Sequence, residues 1–298
     1  MDQCLRERFV VVDDFLPKKQ GLSMREDIDA HFSNPERHQS STHQVWNYWH
    51  VPGSYTYLRT TPEKVIARDK VEAFVEALRN WSARTLGLAG VTWPYLSLYV
   101  PGCVQGLHND STNGRLGYVY SLTRDDRQTI GGQTMLVQDR DLFRSNLERA
   151  AAGVGLFDLV EPRFNRLTLF DDRIPHAVQR VDGSMDPVEG RFVLHGHIGE
   201  AGVVAQGALS PDAIQQSCLG VLHELRNGAA KAVHGPLVLC IEIAPSGRVQ
   251  GMRPILDRLA SSTDADLQSI RDAVADRIEG LQFPEASAPT RANVPLIF

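Results

Sequence analysis

The chain has 298 residues, 42% of them apolar and 22% charged, with a formal net charge of −5. That length and balance describe a globular protein with room for a large core or two smaller ones, and exclude a fibrous or disordered chain. Mixed charge without a basic surplus gives no footprint for nucleic acid. No segment reaches the roughly 20 apolar residues that span a bilayer, so neither nucleic acid nor a membrane is an expected partner.

The four cysteines, Cys4, Cys103, Cys218 and Cys240, are far apart and include no C-x-x-C pair. Such spacing fits reduced thiols better than a disulfide framework or a zinc knuckle. The first apolar run is too short for a signal h-region, and the expectation is a cytoplasmic protein.

In chain order, "RFVVVDDFLP" reads as a short strand stopped by proline, and the charged stretch after it as the start of a helix. Residues 35–60 are polar first and then dense in aromatics. Over 63–87, Val65, Ile66, Val71, Phe74, Val75, Leu78 and Trp81 recur at helical spacing, which predicts a helix broken once and capped by Gly87. From there to about 198, short β-prone runs alternate with turn signals: "YLSLYV", "LGYVYSLT", "TMLVQ", "RLTLF", "HAVQRV" and "RFVLHGHI". Many short strands after one helix predict a β-sandwich or barrel with a helical flank. "GEAGVVAQGALSP" (199–211) has few large side chains and is the expected boundary. Beyond it a helix near 211–227, two strands, a second helix and a terminal "VPLIF" predict a small α+β unit.

"PGCVQGLHNDS" places His108 and Asp110 two residues apart after a glycine-containing bend. On a strand, residues i and i+2 share a face, so both side chains can aim at one ion. His176 follows a β-rich run and offers a third ligand from a neighbouring strand. Two histidines and one carboxylate on one face suit non-haem Fe(II) and dioxygen chemistry. Arg191 lies fifteen residues past His176, and a planar guanidinium near such a metal is suited to grip a dicarboxylate. Each element alone has an ordinary reading: H-x-D pairs are common, a histidine after proline is usually a turn residue, and strand arginines are usually solvated. The joint order sets them apart. A rival set in "HGHIGE" has its glutamate too soon after the histidines, so His195 and His197 read as site-lining or structural residues.

With these residues in place, segment 93–198 resembles the Fe(II)- and 2-oxoglutarate-dependent oxygenases of the prolyl 4-hydroxylase type. "YVPGCVQGLHND" resembles that family's Y-x-x-G-x5-H-x-D, and "GRFVLHGHI" its G-R-x-x-x-x-x-W. "EPRFNRLTLFDDRIPHAVQRV" resembles its P-x-x-N-x-L-x-x-F…H-x-V, and "RLGYVYSLTRDDRQTIGGQTMLVQ" its strand and Gly-Gly hairpin. The resemblance implies a mainly β, double-stranded β-helix (jelly-roll) barrel over 1–199. It implies iron held by His108, Asp110 and His176, with Arg191 binding the distal carboxylate of 2-oxoglutarate and Tyr99 hydrogen-bonding the same cosubstrate. The implied reaction consumes O2, releases succinate and CO2, and hydroxylates an unactivated C–H, with ascorbate as a candidate reductant. The family's tryptophan is His197 here, and the presence of Asp110 favours hydroxylation over halogenation.

Trp46, Tyr48, Trp49, Tyr55 and Tyr57 are candidates for an aromatic substrate wall, Arg59 for a substrate carboxylate or phosphate, His197 for a further lining residue, and loop 123–129 for a second rim. Packing on a flank of the barrel is the plainer reading for at least half of the aromatics. The substrate class stays open among an amino acid, a peptidyl residue and a small metabolite. Residues 205–298 resemble the C-terminal domain of TonB-like energy transducers, but the anchor and proline-rich spacer of a transducer are missing from the sequence. The expectation is an accessory α+β unit that binds a peptide strand, forms a homodimer or buttresses the barrel. The competing functional class is a non-catalytic binding or adaptor protein.

Overall fold

Alternation along two strands decides where the core lies. In "YLSLY" Leu96 and Leu98 face one side, Ser97 and Tyr99 the other. In "RFVLHGHIG" Phe192, Leu194 and Ile198 join the same hydrophobic cluster as Leu96 and Leu98, while Arg191, Val193, His195 and His197 line a cavity on the opposite face. The computed structural model describes residues 4–34, 45–110, 115–138, 156–263 and 265–298. The polar run 35–44 read in the sequence lies outside these described residues.

The elements run as strand β1 (Phe9–Val12), helix α1 (Lys18–Ser33), strands β2 (Asn47–Val51) and β3 (Tyr55–Thr60), and helix α2 (Arg68–Thr85). Strands β4 (Gly90–Val91), β5 (Tyr95–Tyr99), β6 (Val104–His108), β7 (Leu116–Ser121), β8 (Thr129–Ile130), β9 (Thr134–Val137) and β10 (Phe157–Val160) follow. Then come β11 (Leu167–Asp171), β12 (His176–Val178), β13 (Asp182–Gly183) and β14 (Arg191–Gly199). The remainder is β15 (Val204–Gly207), α3 (Pro211–Asn227), β16 (Val233–His234), β17 (Pro236–Ile243), β18 (Val249–Asp257), β19 (Ala260–Ser261), α4 (Leu267–Glu279) and β20 (Thr290–Ile297).

Antiparallel strands form one curled sheet in the order β1-β11-β7-β14-β5-β3-β6-β12-β9-β10, with β2 added on β3 and β4 on β14. The curl brings its two halves face to face: Phe170 of β11 lies against the His176 ring of β12, and Arg191 of β14 donates to Thr134 of β9. This is the mainly β, double-stranded β-helix barrel expected from the sequence. Helix α2 closes its outer face. Val71, Phe74, Val75 and Leu78 are buried, each burial contributing about 1.5–3 kcal/mol relative to exposure, and Phe74 stacks on Tyr120 at 4.8 Å. The predicted break falls between a short 3-10 turn at Pro62–Lys64 and the start of α2. The helix is followed by Gly87 in the left-handed region, φ +68°.

Two expectations about the second half change. The small-residue stretch 199–211 is not simply a linker, because Val204–Gly207 pairs antiparallel with Thr290–Asn293. Edge pairing uses backbone groups and needs no large side chains, so a low-bulk segment serves as well as a bulky one. The second sheet, β15-β20-β17-β18, is covered on one face and partly covered on the other. Along β17, Leu237, Leu239, Ile241 and Ile243 pack with α3 and α4, while Val238 and Cys240, with Ile255 and Leu256 of β18, belong to the core of the barrel half. A strand buried on both sides reads as an unbroken apolar run, as "PLVLCI" (236–241) does before the exposed Glu242. Near the N-terminus Leu5 bridges Leu256 of β18 before the chain enters β1.

Candidate active site

His108 ends β6 and His176 begins β12, and the two are direct partners in that antiparallel pair, their ring centroids 4.4 Å apart. Asp110 is not on the strand, as the i, i+2 argument assumed. It lies past the end of β6, where its backbone N–H donates to the carbonyl of Asp172 at 3.0 Å. The turn, not the pleat, aims its carboxylate. Oδ1 lies 3.5 Å from His108 Nε2 and Oδ2 lies 3.5 Å from His176 Nε2, and the three candidate ligand atoms all fall within 4.8 Å of one another.

The tautomers follow from the second nitrogens. Nδ1 of His108 faces the carbonyl of Gly106 at 2.8 Å, and Nδ1 of His176 faces that of Ile174 at 2.9 Å. A carbonyl only accepts, so both Nδ1 atoms carry hydrogen, and in the neutral rings both Nε2 lone pairs point at the site. Burial works against ionising Asp110, but hydrogen bonds and charge from His108 and His176 outweigh it and hold the carboxyl well below its usual range. Burial likewise lowers His108, yet Asp110 and the Gly106 carbonyl raise it overall. Two imidazole nitrogens and one ionised carboxylate oxygen, held by backbone bonds, fit a divalent first-row metal.

Arg191 is 2% exposed. Its Nη2 donates to Thr134 at 3.2 Å, its Nε has no partner, and among the described residues no carboxylate pairs with it. The guanidinium lies 4.8 Å over the ring of Tyr99, its cross-strand partner, and burial lowers its pKa. Gly132, at φ +76°, leaves room for this side chain, since a Cβ there would sit 3.0 Å from Arg191 Cδ. A buried cation without a counter-charge is costly, and its natural complement is an anion brought by a ligand.

Both groups open into one cavity of about 570 Å³. Tyr99 lines it beside Gln105, a residue the sequence reading passed over: Tyr99 donates to Gln105 Oε1 at 3.0 Å, and the Gln105 amide lies 3.1 Å from His108 Nε2. Its position three before His108 was the available signal. Tyr95 also lines the cavity and was missed, though it shares the face of Ser97 and Tyr99. His195 is held by Ser97 at 2.8 Å, and burial plus the charges of Arg59 and Arg191 lower it to about 3. His197 lies 3.7 Å from Asp172. That carboxyl is raised to about 7 by burial, against the pull of Arg115 and with help from Asp171 and Asp110.

The proposed aromatic wall divides. Trp46 faces away from the cavity, stacked on Phe32 at 6.0 Å and donating to His31. Tyr48 stacks on His50 at the surface. Tyr57 is buried and stacks on Tyr99 at 5.3 Å, with Tyr55 tilted against it. Trp49 covers Arg59, and only Arg59 of this group lines the cavity itself. Loop 123–129 is not part of the cavity lining. Arg124 is tied to Asp29 and Glu189, and Gln128 to Glu189.

No protein-family model and no curated protein matches the chain. Solved structures similar to it include a prolyl hydroxylase from Trichoplax adhaerens in complex with a hypoxia-inducible-factor peptide fragment, 16% identical with a TM-score of 0.47, covering 65% of this chain and 84% of that one. A Pseudomonas putida prolyl-4-hydroxylase is 18% identical with a TM-score of 0.46, covering 65% and 94%. HygX from Streptomyces hygroscopicus, with nickel, 2-oxoglutarate and hygromycin B bound, is 12% identical with a TM-score of 0.44, covering 65% and 83%. At these values the functional reading rests on the side chains described above.

Proposed function

We propose that the chain is an Fe(II)- and 2-oxoglutarate-dependent oxygenase that hydroxylates a C–H bond of a small or peptidyl substrate. One observation carries this reading: two Nδ1-anchored histidines and Asp110 converge in the same cavity as the buried, uncompensated Arg191. Iron and 2-oxoglutarate, when bound, supply dioxygen activation, with substrate, 2-oxoglutarate and O2 yielding hydroxylated substrate, succinate and CO2. The chain's part is positional. His108, Asp110 and His176 hold the metal through Nε2, a carboxylate oxygen and Nε2, and Arg191 grips the far carboxylate of the cosubstrate by charge-assisted hydrogen bonds. The Tyr99 ring fixes the plane of that guanidinium, and the Gln105 amide that lies beside His108 Nε2 would give up that nitrogen to the metal. A binding or adaptor protein would need neither the convergent nitrogens nor a buried cation awaiting an anion.

For the C-terminal unit we read a buttress. Part of its β18 edge is taken by Leu5, and one sheet face belongs to the barrel core, which leaves less for strand addition or dimerisation.

The test is an anaerobic Fe(II) titration with 2-oxoglutarate, following the visible charge-transfer band of the chelate. A band in the wild type and none in His176→Ala is expected. A folded wild type that shows no band overturns the reading.

A further inference from the structure

Besides Arg191, a second guanidinium faces the cavity. Arg59, on β3, has its Cζ 5.1 Å over the ring of Trp49, 5.0 Å over Tyr57 and 4.7 Å over Tyr95. Its Nε is buried without a partner, and among the described residues no carboxylate pairs with it. Arginines away from the cavity behave differently: Arg25, Arg124, Arg166, Arg173 and Arg271 each close on an aspartate. Three aromatic faces hold the Arg59 plane without neutralising it. That leaves the N–H edge of a rigid fork free for a bidentate oxyanion.

Charge points the same way. With the site loaded as proposed above, iron, Asp110, the dianionic cosubstrate and Arg191 cancel among themselves, and the charge of Arg59 is left over. A cavity with an uncompensated cation favours an anion as its next occupant. The column Arg191–Tyr99–Tyr57–Arg59, each contact ring to ring or cation to ring, separates the two anion positions while keeping both on one cavity.

We propose that Arg59, clamped by Trp49, Tyr57 and Tyr95, is the anchor for an oxyanion group of the substrate, and that the substrate is a small carboxylate or phosphate ester. This rests on the oxygenase reading for the identity of the first anion, and adds the chemical class of the second.

The experiment is calorimetric. Protein saturated anaerobically with Fe(II) and 2-oxoglutarate is titrated with benzoate, phenylacetate, N-acetyl amino acids and phenyl phosphate, and with the amides matching the carboxylates. The expected result is that at least one acid binds more tightly than its uncharged counterpart by about tenfold or more, the carboxylate and phosphate arms showing which oxyanion is preferred. Arg59→Met abolishes that preference while keeping the 2-oxoglutarate band, and Arg59→Lys restores part of it. The proposal is overturned if no acid binds, if acids and amides bind alike, or if Arg59→Met keeps the preference. It is also overturned if a folded Arg59→Met loses the band, because Arg59 then serves the cosubstrate. A wild type without the band condemns the oxygenase reading separately, since the acid-against-amide comparison can be repeated on metal-free protein with Arg59→Met as its control.

Discussion

At the scale of single residues, the site is built from groups whose second contact fixes the first. The carbonyls of Gly106 and Ile174 choose the histidine tautomers, and the Tyr99 ring chooses the plane of Arg191. Arg191→Met is therefore expected to weaken 2-oxoglutarate binding by about 1.5–3 kcal/mol, the usual worth of hydrogen bonds to a charged group. It should do so without loss of stability, because it removes a buried cation that has no counter-charge. A binding titration beside a urea melt checks both, and unchanged cosubstrate affinity would remove Arg191 from the site. His195 gives a pH signature. Its folded value of about 3 lies below the ordinary 6.5, so the folded form stays neutral while the unfolded chain takes up a proton below about pH 6.5. Its contribution to stability is complete above that pH and is lost as pH falls towards 3, with a slope of at most about 1.4 kcal/mol per unit. His195→Asn should flatten the acid limb of stability against pH, and an unaltered limb would mean that the ring titrates normally.

Elements show the limits of reading one residue at a time. His108, Asp110, His176 and Arg191 were legible because a short motif and an ordered set of motifs mark them. Gln105 and Tyr95 were not, since each matters only through the strand register that brings it to the cavity. Trp46 shows the converse: an aromatic in the right stretch of sequence pairs with α1 instead, because His31 and Phe32 offer it a partner there. Gly87 joins helix to sheet. It sits at φ +68°, and a Cβ there would lie 2.5 Å from Val238 Cγ1 and 3.2 Å from Asn293 Cβ. Gly87→Ala is expected to cost about 1–3 kcal/mol through overpacking and backbone strain together. Chemical denaturation measures this, and a cost below 0.5 kcal/mol, the ordinary range for a neutral surface change, would show that the helix end and the second sheet can part without penalty.

On the scale of the whole molecule, the two halves are coupled by core and by charge. Val238, Cys240, Ile255 and Leu256 complete the cluster around α2. Arg173, between Asp172 and His176 in the chain, holds Asp171 and donates to the carbonyls of His234 and Arg258, and Arg258 returns to Asp171. We expect one thermal unfolding transition in calorimetry, and two resolved transitions would establish independent units. Deleting 205–298 should leave the barrel half poorly soluble, because it uncovers the apolar surface those four residues cover. Arg173→Ala should cost about 1.5–3 kcal/mol, the usual worth of hydrogen bonds to a charged group, because Asp171 keeps its pair with Arg258. Because the same segment leads into His176, metal affinity measured beside stability would show whether the clamp also serves the site.

Local pattern in the sequence determined what is local or repeats with a short period: the amphipathic α2, the inward face of "RFVLHGHI" and the H-x-D pair. Tertiary structure alone decided the rest. It took Asp110 off the strand and aimed it from a turn held by Asp172, paired the small residues of Val204–Gly207 with β20, and set the second sheet against the barrel core. It also left Arg59 and Arg191 facing one cavity without a described carboxylate beside either. The physical reason is range. Side-chain alternation and helical spacing are set by neighbours along the chain, whereas burial, register and the presence or absence of a counter-charge are set by residues tens to well over a hundred positions away.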